Sequence, residues 1–304
     1  MTKLTVSVPA TSANLGPGFD SLGMALAVYD EYEVETTNSG LEINIQGEGA
    51  LTAAKDESNL IFRSLKLVFD AVGEALPGIR LSCKNSIPHG RGMGSSGAAV
   101  AGGVMLAAAL LSNKNFTGQE LLEFATKMEG HPDNVAPALF GGLTIAWVDE
   151  SGPHHKKLTV HRGISPLVLV APNEMSTKLA RSLQPESVPH TDAVFNVSRS
   201  ALLVAALTQS PELMMAATED RLHQNYRASA MPETSKLISD LREKGHPAVV
   251  SGAGPSVLVL EGDPQDRLLA MDFVKRHFPA WQALALAVDF KGASVEGQSG
   301  SGSL

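Results

Sequence analysis

The chain has 304 residues, of which 43% are hydrophobic and 18% are charged, and its formal net charge is −8. These values are ordinary for a globular protein of one or two domains. The acidic balance argues against nucleic acid or an anionic membrane as a partner. A single cysteine, Cys83, excludes a disulfide within the chain, and the opening MTKLTVSVPA lacks the apolar segment of a signal peptide. We therefore expect a cytoplasmic protein.

The first half of the sequence mixes strand and helix patterns. Alternating apolar residues predict strands at 4–8, 28–36, 41–46 and 78–84, and the turn Asn38-Ser39-Gly40 predicts a hairpin between the second and third. Helical spacing predicts helices at 58–72 and 97–111. Thr117 and Glu120 predict a capping box for a helix that ends near Glu129, before a strand pair at 143–148 and 157–161.

A lobe boundary is predicted at Ser165-Pro166. Beyond it, the patterns predict strands at 167–171, 248–250, 257–260 and 283–288 and helices at 176–183, 193–208, 211–218, 233–244 and 266–276. The elements lack a regular βαβα order, so we predict an α+β fold with lobes at 1–164 and 165–296. The last residues, 297–304, read GQSGSGSL and are expected to form a flexible tail.

The segment PHGRGMGSSGAAVA, residues 88–101, carries the strongest functional signal. Its alternating glycines permit positive φ and close approach to a ligand, and the first turn of the following helix leaves N–H groups free for an anion. We expect Ser95 or Ser96 to cap that helix. The P-loop and the dinucleotide fingerprint do not fit, because they need Lys or Gly where Ser95 stands. The segment therefore predicts a different type of phosphate loop.

Two further segments concentrate polar side chains. The loop TSANLGPGFD, residues 11–20, presents Asn14 and Asp20, which could bond their own backbone or bind an ammonium or hydroxyl group. The segment EGHPDNVAPALFGG, residues 129–142, places a carboxylate at a helix end and then His, Asp and Asn on a tight turn. It lacks the further His or Cys ligands of a zinc site, whereas Mg²⁺ suits oxygen ligands and phosphate.

These segments resemble the motifs of the GHMP kinases (galactose, homoserine, mevalonate and phosphomevalonate kinases). PHGRGMGSS is similar to the second motif of that family, and SGAGPS, residues 251–256, is similar to its third. ATSANLGPGFD and HPDN are similar to the homoserine kinase branch, which also lacks a basic residue near Thr11. Gly97 departs from the Ala that the family more often has, at a helix-propensity cost of about 1 kcal/mol at most.

The resemblance covers most of the chain and implies both a fold and a reaction. The fold is the two-lobed GHMP kinase fold, with an N-terminal lobe like ribosomal protein S5, a C-terminal ferredoxin-like lobe and the active site in the cleft between them. The reaction is Mg²⁺- and ATP-dependent phosphorylation of L-homoserine to O-phospho-L-homoserine, a step of threonine biosynthesis. The family's habits also allow a homodimer.

Two alternatives remain open. One is another small-molecule kinase of this fold, of the mevalonate or shikimate type, against which TSANLGPGFD together with HPDN argues. The other is a non-catalytic nucleotide-binding protein, which predicts damage at the phosphate or metal positions, whereas Ser95, Ser96 and Glu129 are intact.

The resemblance also implies roles for individual residues. The expected nucleotide-binding residues are Asn59, Pro88, His89, Gly90, Arg91, Gly92, Met93, Gly94, Ser95 and Ser96. The expected substrate-binding residues are Asn14, Asp20, His131, Thr177 and Arg221, with Arg181, Asp133 and Asn134 as catalytic candidates. Ser96 and Glu129 are the expected Mg²⁺ ligands, with Glu123 as the alternative to Glu129. We expect no dedicated base and a hydroxyl oriented by Asn134, with Asp133 as the alternative general base.

Overall fold

Two β-sheets, each covered by helices, organise the protein, which we describe from a computed structural model covering residues 2–296. The strands are β1 Lys3–Ala13, β2 Leu22–Thr37, β3 Leu41–Gly47, β4 Gly78–Asn85, β5 Leu143–Asp149, β6 Gly152–Leu158, β7 Ser165–Val170, β8 Ala248–Val250, β9 Val257–Glu261, β10 Gln282–Ala285 and β11 Ser294–Glu296. The α-helices are α1 Leu60–Val72, α2 Ser95–Leu110, α3 Gly118–Glu129, α4 Pro132–Phe140, α5 Thr177–Ser182, α6 His190–Thr208, α7 Met214–Ala217, α8 Gln224–Arg227, α9 Pro232–Glu243 and α10 Pro264–His277.

The first sheet has seven strands in the order β11-β1-β2-β4-β3, with β5 and β6 extending from β2. The predicted hairpin between the second and third strand segments is wrong, because β4 lies between β2 and β3. Strand β3 pairs in parallel with β4, and helix α1 connects them. The turn Asn38-Ser39-Gly40 ends β2, but the hydrogen-bonding edge of β2 is occupied by a strand that comes later in the chain.

Helix α2 is buried beneath the first sheet, and two glycines let it approach its neighbours. A Cβ atom at Gly102 would lie 2.2 Å from the ring of Tyr32 on β2. A Cβ atom at Gly103 would lie 2.4 Å from the carbonyl oxygen of Ile61 on α1. The small residues of α2 therefore allow sheet and helices to pack closely, which fixes the N-terminal end of α2 relative to both.

The second sheet, in the order β10-β7-β9-β8, is antiparallel throughout. Helices α9 and α10 bury apolar side chains such as Leu237 and Val274 in a core with Leu167 and Val259 of the sheet. The sheet begins at Ser165, where the sequence predicts the lobe boundary. In the described part of the chain, no helix is long and apolar enough to cross a membrane.

The chain returns to the first sheet after the second is complete. Strand β11 pairs antiparallel with β1, and Val288 bridges to Leu26 of β2. The range predicted for the C-terminal lobe, 165–296, thus includes a strand of the first sheet. No pattern in the sequence predicts β11, because three residues show no periodicity. The predicted tail, 297–304, lies outside the described residues.

Candidate active site

The glycine loop, residues 88–94, connects β4 to α2. Gly90, Gly92 and Gly94 have φ values of 64°, 70° and 72°, in the left-handed region that favours glycine. Gly94 is the N-cap of α2 and makes no side-chain capping hydrogen bond. The predicted cap at Ser95 or Ser96 is therefore wrong, because the left-handed glycine completes the turn and both serines already belong to the helix. The uncapped first turn of α2 suits an anion.

The glycine loop is packed between two other motif segments of the chain, the loop of residues 11–20 and the SGAGPS segment, residues 251–256. A Cβ atom at Gly92 would lie 2.1 Å from the carbonyl oxygen of Ser251, and one at Gly94 would lie 1.9 Å from Oγ1 of Thr11. The Thr11 amide donates to the Met93 carbonyl at 3.1 Å, and Oγ of Ser251 donates to the Gly92 carbonyl at 2.6 Å. The structure thus requires glycine here for packing, and close approach to a ligand stays a prediction.

Two of the predicted nucleotide-binding side chains already have partners within the protein. Nε of Arg91 donates to the Ala171 carbonyl at 3.0 Å, so this side chain ties the glycine loop to the end of β7. Asn59 caps α1: its Oδ1 accepts from the amides of Ile61 and Phe62 at 3.0 and 3.3 Å. Contact of these residues with a nucleotide stays a prediction, and both now have a structural role as well.

The two predicted metal ligands lie together. Oγ of Ser96, in the first turn of α2, donates to Oε2 of Glu129 at 2.7 Å. Burial raises the pKa of the Glu129 carboxyl, and the hydrogen bond from Ser96 opposes that shift. A bound cation would favour the charged carboxylate, and a hydroxyl beside a carboxylate at a helix N-terminus that suits phosphate is a donor set that Mg²⁺ uses. The residues present therefore fit this ion.

Glu123, the alternative ligand, lies elsewhere on α3. It is exposed, and its Oε1 accepts from Nε2 of Gln119 at 3.0 Å, a side chain that also donates to the Pro153 carbonyl on β6. Among residues 2–296, no group of three or more His, Cys, Asp or Glu side chains could hold a metal ion. A metal on Ser96 and Glu129 would accordingly need oxygens from phosphate or water to complete its coordination.

The residues His131, Asp133 and Asn134 start a helix, so the predicted tight turn is wrong. His131 is the N-cap of α4 and Pro132 is its first residue, a position that suits the fixed φ of proline. Asp133 is 2% exposed, and its Oδ1 lies 2.5 Å from Nδ1 of His131. Burial lowers the pKa of His131, but the hydrogen bond and charge of Asp133 outweigh it and raise the pKa above its ordinary value. Oδ1 of Asn134 accepts from the Thr11 hydroxyl at 3.0 Å.

A predicted substrate residue, Asp20, and a catalytic candidate, Arg181, meet across the lobes. Asp20 lies in the loop between β1 and β2, and Arg181 lies on α5. The guanidinium of Arg181 donates to both carboxylate oxygens of Asp20, at 3.2 and 3.0 Å. About 40% of each side chain stays exposed, so the pair faces solvent rather than the core. The same opposite charges suit the two ends of an amino acid.

Asn14 holds Asp20 in place. Its Oδ1 accepts from the Asp20 amide at 3.0 Å, and its Nδ2 donates to the Gly252 carbonyl at 2.8 Å. Asn14, Leu15 and Asp20 have φ values of 69°, 51° and 53°, which non-glycine residues adopt only when their surroundings enforce it. Asn14 thus has a defined positioning role, and its predicted contact with substrate stays a prediction.

The remaining predicted substrate residues are less tightly placed. Thr177 is the exposed first residue of α5. Arg221 is bound to α6: its Nη1 donates to Asp192 at 3.4 Å, and its guanidinium lies 3.9 Å from the ring centroid of Phe195. Within the described chain, its side-chain hydrogen bond and ion pair do not involve the other predicted site residues.

Arg227, at the end of α8, belongs to this site, and no motif in the sequence predicted it. It is 2% exposed, and its Nε has no hydrogen-bond partner within residues 2–296. Burial lowers the pKa of Arg227. The negative charge of Asp20 is the strongest effect that opposes this shift, and the charge of Asp133 opposes it more weakly. An incompletely paired guanidinium among these carboxylates suits an anionic ligand. In the sequence its only signal is its position six residues after Arg221.

Family models match both lobes. A model of the GHMP kinase N-terminal domain matches residues 59–142, and a model of the GHMP kinase C-terminal domain matches residues 198–280. This chain belongs to the GHMP kinase family. The membership predicted from the glycine loop and the SGAGPS segment is therefore confirmed.

Sequence matches to known proteins extend along nearly the whole length of this GHMP kinase. A homoserine kinase of Clavibacter michiganensis is 61% identical over 297 residues, 97% of this chain and 94% of the relative. A homoserine kinase of Leifsonia xyli is 63% identical over 295 residues, 96% of this chain and 91% of the relative. Both lobes and the loops that join them are therefore shared with these relatives.

Solved structures support the predicted two-lobed fold. The crystal structure of a homoserine kinase from Cytophaga hutchinsonii matches with a TM-score of 0.87 at 27% identity, covering 97% of this chain and 98% of that one. The mevalonate kinase of L. major, crystallised with R-mevalonate, matches with a TM-score of 0.68 at 16% identity, covering 94% and 96%, which shows a common fold alone. The GHMP kinase fold is confirmed.

Proposed function

We propose that this GHMP kinase transfers the γ-phosphoryl group of ATP to the side-chain hydroxyl of L-homoserine, giving O-phospho-L-homoserine. The observation that carries the proposal is the pairing of Asp20 with Arg181, at 3.0 Å, beside the phosphate-binding end of α2. These opposite charges match the ammonium and carboxylate groups of an amino acid, which mevalonate and shikimate do not both carry. The homoserine kinases that are 61% and 63% identical over nearly the whole chain support the same choice.

In this proposal the substrate inserts between Asp20 and its cationic partners. The carboxylate of Asp20 accepts from the substrate ammonium. Arg181, freed from Asp20, and the buried Arg227 donate to the substrate carboxylate, because guanidinium groups bind carboxylates through paired, planar hydrogen bonds. An amino acid held at both ends directs its side chain away from them, towards the glycine loop.

The nucleotide phosphates lie against the glycine loop and the first turn of α2. The free N–H groups and the dipole of α2 attract the phosphates, and Ser95 donates its hydroxyl. Ser96 and Glu129 would hold Mg²⁺, which neutralises phosphate charge when bound. The chain's own contribution is to place the acceptor hydroxyl in line with the γ-phosphorus and to stabilise charge there.

No dedicated base takes part in the proposed reaction. Asp133 is 2% exposed and is engaged with His131, so its carboxylate orients the imidazole. Asn134 accepts from Thr11 through Oδ1, which leaves its NH₂ group to orient the acceptor oxygen. The proton of the hydroxyl leaves to phosphate or to water.

The experiment that tests this function is a coupled ADP-release assay with Mg·ATP and a panel of acceptors: L-homoserine, L-serine, L-threonine, mevalonate, shikimate and galactose. Turnover of L-homoserine well above the others is the expected result. Activity with a different alcohol alone would replace the substrate, and nucleotide binding without any turnover would favour the non-catalytic alternative.

The proposal extends to the setting of the reaction. O-Phospho-L-homoserine is an intermediate of threonine biosynthesis, and we place the reaction in the cytoplasm, in line with the single cysteine of the chain. A homodimer is compatible with the family resemblance, and sedimentation equilibrium tests it directly.

A further inference from the structure

The loop that carries Asp20 belongs to the first lobe, but side chains of the second lobe hold it through hydrogen bonds. The carbonyl oxygen of Pro17 accepts from Nδ2 of Asn196 at 3.1 Å and from Oγ of Ser200 at 2.7 Å, both on α6. The neighbouring carbonyl oxygen of Gly16 lies 2.7 Å from Nε2 of His223. Two consecutive peptide carbonyls of one loop are thus anchored to the opposite lobe.

His223 makes the most buried of these contacts. Its side chain is 0% exposed, and its ring stacks on Phe19 with centroids 4.8 Å apart and planes 20° apart. Because a carbonyl oxygen can only accept, Nε2 carries a proton. In the described part of the chain Nδ1 has no hydrogen-bond partner, which fits a neutral ring with one proton. Within residues 2–296 the ring's one hydrogen bond is therefore the one to Gly16, and Oδ2 of Asp220 lies 3.7 Å from the same Nε2.

Phe19 connects this contact to the other side of the site. The guanidinium carbon of Arg227 lies 5.2 Å from the centroid of the same ring that stacks on His223. Phe19 directly precedes Asp20, whose φ of 53° must be enforced by its surroundings. Phe19 therefore lies between His223 and Arg227, directly before Asp20 in the chain.

We infer that His223 is a positioning residue that fixes, through Gly16 and Phe19, the gap between Asp20 and Arg227, and thereby the affinity and length selectivity for the amino-acid acceptor. This role rests on the proposed function, in which that gap holds the ammonium and carboxylate of the acceptor. His223 touches neither the acceptor nor ATP in this proposal. Its effect appears in the KM for the acceptor and leaves the KM for ATP unchanged.

Two variants separate its two contacts. His223→Phe keeps the stack on Phe19 but loses the donor to Gly16, and His223→Gln places an amide donor near the position of Nε2. We expect His223→Phe to raise the KM for L-homoserine about tenfold, with the KM for ATP unchanged within about twofold, and His223→Gln to restore much of that loss. We also expect the ratio of kcat/KM for L-homoserine to kcat/KM for L-serine to be smaller in His223→Phe than in the native chain.

A matched control is His246→Gln. His246 is also a buried histidine of the second lobe, but its Nδ1 pairs with Oε1 of Glu261 at 2.6 Å, away from the first loop. This change is expected to lower thermal stability without altering the KM for L-homoserine. Equal KM increases in His246→Gln and His223→Phe would show a general loss of stability and overturn the inference.

Hydrogen exchange gives a readout that does not depend on the substrate. Without any ligand, the amides of residues 15–21 should exchange faster in His223→Phe than in the native chain, and those of β8 and β9 should not. Unchanged exchange together with an unchanged KM for L-homoserine would overturn the positioning role while leaving the proposed function intact. Absence of homoserine turnover in the native chain would instead overturn the proposed function, and faster exchange would then still support the anchoring of the loop.

Discussion

Arg181 and Asp20 are held together by two hydrogen bonds, at 3.2 and 3.0 Å, across the junction of the two lobes. The residues proposed to bind the two ends of the substrate therefore neutralise each other when no substrate is between them. Binding of an amino acid must replace this ion pair by two new ones, one to the substrate ammonium and one to its carboxylate. The free energy of binding therefore depends on both Asp20 and Arg181 being present.

The Asp20–Arg181 pair gives the first prediction. Asp20→Asn should raise the KM for L-homoserine at least about tenfold and leave the KM for ATP within about twofold, because a charge-assisted contact to the ammonium is lost. The unfolding temperature should hardly change, since ion pairs this exposed contribute little. Arg80→Gln, which breaks an exposed pair with Glu35, is the control and should alter neither KM. The measurement is steady-state kinetics with both substrates varied. A rise of the KM for ATP together with the KM for L-homoserine in Asp20→Asn would contradict the prediction.

Ser96 and Glu129 give the second prediction, which also decides between the two candidate glutamates. Glu129→Gln and Ser96→Ala should each lower kcat by about 100-fold or more at saturating Mg·ATP, because a ligand of the proposed ion is lost. Glu123 lies on the same helix but accepts a hydrogen bond from Gln119. The change Glu123→Gln should therefore keep kcat within about twofold. Comparable losses in Glu123→Gln and Glu129→Gln would contradict the assignment.

Asp133 gives the third prediction. If it orients His131 and does not take the proton, Asp133→Asn should lower kcat by less than about tenfold and raise the KM for L-homoserine, because an amide still reaches Nδ1 of His131. Single-turnover kinetics in a quench-flow instrument isolates the chemical step. A 100-fold loss of that rate at unchanged KM would instead assign the general base to Asp133.

Gly94 gives the fourth prediction, with Gly73 as a matched control. Both have φ near 71°, but an alanine Cβ at Gly73 would meet nothing within 4 Å, whereas at Gly94 it would lie 1.9 Å from Oγ1 of Thr11. Thr11 is fully buried and donates to Asn134, so it cannot easily move. Gly73→Ala should cost about 1 kcal/mol of unfolding free energy, and Gly94→Ala about 3 kcal/mol or more. Urea denaturation measures both, and equal costs would show that Thr11 gives way.

The fifth prediction concerns pH and follows from His223. Burial lowers its pKa from the ordinary 6.5, and of the neighbouring charges Asp220 and Asp20 oppose the shift while Arg227 supports it. Below about pH 6.5 the unfolded chain therefore binds a proton that the folded chain does not, so the unfolding free energy falls with falling pH, by up to about 1.4 kcal/mol per unit. His223→Gln removes this contribution.

The check on this prediction is the difference between two stability curves. Chemical denaturation of the native chain and of His223→Gln from pH 8 to pH 5 should give curves that converge as the pH falls. Other titrating groups, such as His155, whose pKa burial also lowers, are present in both proteins and cancel. Parallel curves would show that His223 does not control the acid dependence.

The features that depend on local chemistry could be predicted from the sequence. Thr117 and Glu120 form the capping box at the start of α3, because a cap is decided by residues within one or two turns. The family motifs, and not residue spacing, predict that Ser96 and Glu129 hold one metal ion, and the two side chains lie in contact. These are the parts of the site for which a short segment carries its own signal.

The features that depend on distant partners could not be predicted. The turn after β2 correctly predicts where this strand ends. It wrongly predicts β3 as the pairing partner of β2, because β4 occupies that edge of β2. Arg221 and Arg227 differ by six residues, and only the folded chain shows that one pairs with Asp192 on α6 while the other is buried near Asp20. Strand β11 has one apolar residue, Val295, and its pairing with β1 leaves no local pattern.

The return of β11 to the first sheet means that the polypeptide passes between the sheets twice, once from β6 to β7 and once from β10 to β11. The two sheets are therefore covalently joined at two places. Side chains of both also share one apolar cluster, for example Leu26 of β2 and Val249 of β8. A protease cut at either connection alone would therefore leave the lobes attached to each other.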